Sequence, residues 1–97
     1  MWNIYAAVSI GNTDNKLSQQ EWNLFVTQVN DVLKHYGKIH FFGGASNWEP
    51  WQNVAWIVEV AYAADVSNFS VALEALRVKY NQDAIFILEG SANYQAA

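Results

Sequence analysis

The 97-residue chain is 53% hydrophobic and 14% charged, carries a formal net charge of −4 and contains no cysteine. That balance excludes a disordered chain, a disulfide framework and thiolate chemistry. Five Lys/Arg against nine Asp/Glu are too few and too scattered to neutralise a track of nucleic-acid phosphates, so no nucleic-acid partner is expected.

Ninety-seven residues suit one domain with one core, here residues 1–97 with 91–97 as a small-residue tail. The apolar inventory exceeds what so small a core can bury, a first hint of a partner surface. Met1-Trp2-Asn3-Ile4-Tyr5 lacks the basic region and long apolar core of an export signal. No apolar run approaches the ~18 residues of a membrane span, so a cytoplasmic protein without a membrane partner is expected. The sequon Asn68-Phe69-Ser70 then has no use.

Residues 3–10 place Ile4, Ala6, Val8 and Ile10 on one face by the two-residue period of a strand. Gly11-Asn12-Thr13-Asp14-Asn15 supplies a turn. Ser18 and Glu21 form a capping box, and Leu17 and Trp22 have the spacing of a hydrophobic staple. Trp22, Phe25, Val26, Val29, Leu33 and Tyr36 then make one helical stripe, which Gly37 ends as a left-handed cap.

A second strand runs from Lys38 to about Ala45, with Ile39 and Phe41 facing one way and His40 and Phe42 the other. Gly43 and Gly44 suggest a bulge or a close backbone approach. After Asn47-Trp48-Glu49-Pro50 a third strand follows over Asn53–Ala61, antiparallel to the second. Asp65 or Ser67 caps a second helix with the stripe Phe69, Leu73, Leu76 and Tyr80, and Asn81 closes it. Asp83–Glu89 is a short apolar strand.

The order β-α-β-β-α-β predicts an α+β, ferredoxin-like sandwich: a four-stranded antiparallel sheet with two helices on one face. With Ile4, Val8, Ile39, Phe41, Trp56, Val58, Ile85 and Ile87 under the helices, alternation sends Tyr5, Ala7, His40, Phe42, Ala55, Ile57, Glu59, Phe86 and Leu88 to the open face. A solvated sheet face is normally polar. This one carries Tyr5, Phe42, Ile57, Phe86 and Leu88, which points to a dimer or partner interface.

Trp48 and Trp51 mark the β2–β3 connection as a contact loop, since Trp is enriched at binding hot spots, or else as a small cluster of its own. His40 and Glu59 can meet across the hairpin as an acid–base pair or as an ordinary polar cross-strand pair. His35 suits a helix C-terminus. The 11–15 turn lacks the register of a calcium loop, and no phosphate loop, dinucleotide fingerprint, nucleophile elbow or zinc cluster is present. No metal, cofactor or catalytic motif is therefore expected.

Gly11-Asn12-Thr13-Asp14-Asn15-Lys16-Leu17 leading to Trp22, Trp51-Gln52-Asn53-Val54-Ala55-Trp56 with Glu59, and Tyr80-Asn81-Gln82-Asp83-Ala84-Ile85 together resemble a family of short uncharacterised proteins from actinobacteria and their phages. The resemblance spans nearly the whole chain. It implies a small stand-alone domain with no catalytic residues to carry over, and a phage origin would favour a protein that binds a host factor.

Two readings follow. In the first, the chain is a non-enzymatic interaction module that binds itself or another protein through Trp48, Trp51, Tyr5, Phe42, Ile57 and Phe86. In the second, a dimeric ferredoxin-like barrel encloses a small-molecule pocket with His40 and Glu59 as its polar groups, with room for an enzyme.

Overall fold

The computed structural model describes residues 4–44 and 52–91. Strand β1 spans Ile4–Gly11, helix α1 Gln19–Tyr36, strand β2 Lys38–Gly43, strand β3 Asn53–Val60, helix α2 Ala63–Lys79 and strand β4 Phe86–Gly90. A 3-10 turn, Thr13–Asn15, lies between β1 and α1. The sheet order is β2-β3-β1-β4 with every neighbouring pair antiparallel, and both helices pack on one face, so the predicted α+β topology is realised.

The core lies between the sheet and the helices. Ala6, Val8 and Ile10 of β1 and Trp56, Val58 and Val60 of β3 meet Trp22, Phe25, Val29 and Leu33 of α1 and Val66, Phe69 and Leu73 of α2. Phe25 stacks on Tyr80 at 4.8 Å between ring centroids, joining the helices. Burying an aromatic side chain of this kind contributes roughly 1.5–3 kcal/mol. Trp56 is fully buried, and its Nε1–H donates to Asn30 Oδ1 at 3.0 Å, which satisfies the one polar atom the indole brings inside.

The start of α1 follows the sequence closely. Glu21 N–H donates to Ser18 Oγ and Ser18 N–H to Glu21 Oε1, while Leu17 and Trp22 are both buried beside the cap. The turn before it is organised by Asn12, which is buried. Its Oδ1 accepts from Leu17 N–H at 2.9 Å, and its Nδ2 donates to Leu17 O and to Gln52 Oε1. Gln82, also buried, accepts from Thr13 N–H and donates to Tyr80 O. The 11–15 segment thus serves turn geometry and helix entry.

Four local expectations are corrected. Gly37 is not left-handed: its φ of −160° and ψ of −168° are extended, and its small size is needed because the Glu59 carbonyl and the Val58 and Val60 methyls crowd its α-carbon. Helix α2 begins at Ala63 with Tyr62 as its N-cap, so Asp65 lies inside the first turn, where it accepts from Tyr62 N–H at 3.3 Å, and Ser67 is helical. Strand β4 begins at Phe86, because Asn81 adopts a positive φ of 53° after α2 and the chain needs Gln82–Ile85 to reach the sheet.

The fourth correction concerns β2. Ile39 pairs with Val58 but Phe41 pairs with Ile57, so His40 is an extra residue in a β-bulge. The bulge reverses the faces of everything after it. Phe41 joins the open face, and Phe42 turns to the covered side, 5.3 Å from the Trp56 ring. Gly43 and Gly44 sit at φ of 142° and 109°, a backbone conformation that favours glycine, and among the described residues nothing approaches where a side chain would project.

Candidate functional site: the open face of the sheet

Strand register arranges the uncovered face in cross-strand rows. Lys38, Glu59, Tyr5 and Gly90 form the first; Phe41, Ile57, Ala7 and Leu88 the second; Gly43, Ala55, Ser9 and Phe86 the third. Successive rows lie about 7 Å apart along the strands. The second row is apolar across all four strands. Phe41 is 49% exposed, Ile57 42%, Phe86 74% and Leu88 73%.

Side-chain size gives this face relief. Ala7, Ser9 and Ala55, on the two central strands, form a low floor. Phe41 and Ile57 rise on one side, and Leu88 and Phe86 on the other. Register and residue size thus mark a low strip along β1, here called the trough, with Tyr5 and Glu59 in the row at one end.

That end is polar. The bulge lets His40 and Phe41, consecutive in sequence, project from the same face. His40 Nε2 lies 2.6 Å from Glu59 Oε1, and the His40 ring lies 5.6 Å from the Tyr5 ring at 47°. A carboxylate accepts only, so His40 donates from Nε2–H, and whenever the imidazole is neutral Nδ1 is left as an acceptor. The side chains are 30% and 18% exposed, so neither is sealed in the core.

Of the residues singled out from sequence, the structure brings Tyr5, His40, Glu59, Ile57 and Phe86 onto this face and removes Phe42 from it. Trp48 and Trp51 lie outside the described residues. Phe41, assigned by simple alternation to the core, is the residue that the sequence reading missed. Among the described residues no group of three His, Asp or Glu is placed to hold a metal ion, and no helix is long and apolar enough to cross a membrane.

Two solved structures share this architecture across the whole chain. A hydroxynitrile lyase from Passiflora edulis matches with a TM-score of 0.63 at 12% identity, over 100% of both chains. A dimeric ferredoxin-like protein from an uncultured marine organism matches with a TM-score of 0.54 at 12% identity, over 100% of this chain and 93% of that one. The fold is ferredoxin-like. At this identity the likeness speaks for architecture alone. No family model and no curated protein matches the sequence.

Proposed function

We propose that the protein works as a homodimer whose open sheet faces pack together and roof the β1 trough into a small-molecule pocket. The observation that carries this reading is the apolar row Phe41–Ile57–Ala7–Leu88, which crosses all four strands on the face the helices leave bare. Large exposed side chains in one contiguous band favour burial against a partner, at roughly 25 cal/mol per Å² of apolar surface removed from water. Two such faces, each with a low floor between larger side chains, do not fill each other completely, so a second copy would leave a pocket between them. The dimeric ferredoxin-like protein supports the assembly, and the Passiflora lyase shows that a chain of this fold and length can host an activity.

Light scattering on the purified protein tests this. A molar mass of about twice the 11.0 kDa chain is expected, with a melting temperature that rises with protein concentration. A monomer at high concentration, with a melting temperature independent of concentration, would rule out self-association and leave the face for a different protein.

A further inference from the structure

The polar end of the trough has a directionality that its apolar walls do not require. Glu59 Oε1 accepts the Nε2–H of His40, so the neutral imidazole is held in one tautomer with Nδ1 as an acceptor. The bulge is what brings this ring onto the face at all, and it leaves the ring beside Tyr5 at the polar end of the trough. An acceptor at the end of an otherwise apolar slot selects a ligand that has one donor and an apolar body. Aromatic walls on both flanks, Phe41 and Phe86, favour a flat ring as that body.

We infer that His40 is the hydrogen-bond acceptor of a binding site for small neutral hydroxylated aromatic molecules of the phenol class. The ring lies over Ala7 and Ser9, between the Phe41/Ile57 and Leu88/Phe86 walls, and the hydroxyl donates to His40 Nδ1. Glu59 is a positioning residue that fixes the tautomer without touching the ligand. This inference rests on the dimeric pocket proposed above, because a second copy supplies the roof that excludes water and strengthens the hydrogen bond.

Para-cresol and its methyl ether, nearly equal in shape, are suitable probes because only the first can donate. Binding is measured by titration calorimetry at about pH 8.5, where free imidazole is neutral, with the His40 ring nitrogens followed by long-range proton–nitrogen NMR and the molar mass checked in parallel. Wild type is expected to bind para-cresol about tenfold more tightly than the ether, the value of one hydrogen bond to a buried acceptor. The Nδ1 resonance should move on binding. His40→Phe should erase the preference while still binding the ether, and Glu59→Gln should weaken the preference by freeing the tautomer.

Equal affinity for the two probes in wild type, a preference that survives His40→Phe, or a dimer that binds neither would each overturn the inference and leave the dimer standing. A monomeric wild type would overturn both.

Discussion

At Gly37 the chain leaves α1 and enters the sheet with almost no room. A Cβ placed there would lie 2.8 Å from a Val60 methyl and 2.9 Å from a Val58 methyl, and against the Glu59 carbonyl as well. Gly37→Ala is therefore expected to destabilise the fold by about 1–3 kcal/mol through overpacking, read as a lower denaturant midpoint. An unchanged midpoint would contradict the crowding. Asn12 makes the opposite kind of contribution, by satisfying buried groups. Its removal in Asn12→Ala leaves Leu17 N–H without its acceptor in a buried site, and a loss of about 1–3 kcal/mol is expected. Glu21 adds a pH dependence. The backbone N–H of Ser18, and then its hydroxyl, hold the Glu21 carboxyl below its ordinary pKa. Its contribution is thus complete above the usual carboxylate range and is lost as pH falls through the lowered folded value. Glu21→Gln should flatten the acid limb of the stability profile, whereas an identical profile in wild type and variant would show the cap to be electrostatically idle.

Elements differ in how openly the sequence declares them. Helix α1 was legible because its capping box and staple are local: Leu17, Ser18, Glu21 and Trp22 interact within a few residues of one another. Strands β1 and β3 were legible because one face is buried and alternation survives along their whole length. Strand β2 was not, because alternation has no means of announcing an inserted residue. The bulge at His40 exchanges Phe41 and Phe42 between faces, and the glycines that suggest such an irregularity in the sequence lie three and four residues beyond it. The start of α2 was displaced for a related reason: Asp65 can serve either as a cap or inside the first turn, and the sheet-to-helix geometry at Tyr62 decides between them. The same logic makes β2 the element whose variants separate site from scaffold. Phe42→Ala, on the Trp56 side, should lower stability by a few kcal/mol at most, given the half-exposed ring. Phe41→Ala should instead weaken self-association and leave monomer stability nearly unchanged, as a urea titration at low concentration would show. Equal effects of both variants on assembly would argue against the bulged register.

For the whole molecule, helix and strand order alone was enough to give the ferredoxin-like architecture, and composition alone gave the surplus of apolar surface. What neither could give was which side chains share the open face, since that depends on a register across four strands. The structure resolves the surplus into a band with raised aromatic walls, a small-residue floor and a His40–Glu59 pair at one end. In the proposed dimer a second copy covers this band. Sedimentation equilibrium on wild type, Phe41→Asp/Leu88→Asp and Val71→Asp measures it most directly, because Val71 is 74% exposed on α2, away from the sheet. A dimer is expected for wild type and Val71→Asp, and a folded monomer for the sheet-face double variant. A single mass shared by all three proteins would contradict it.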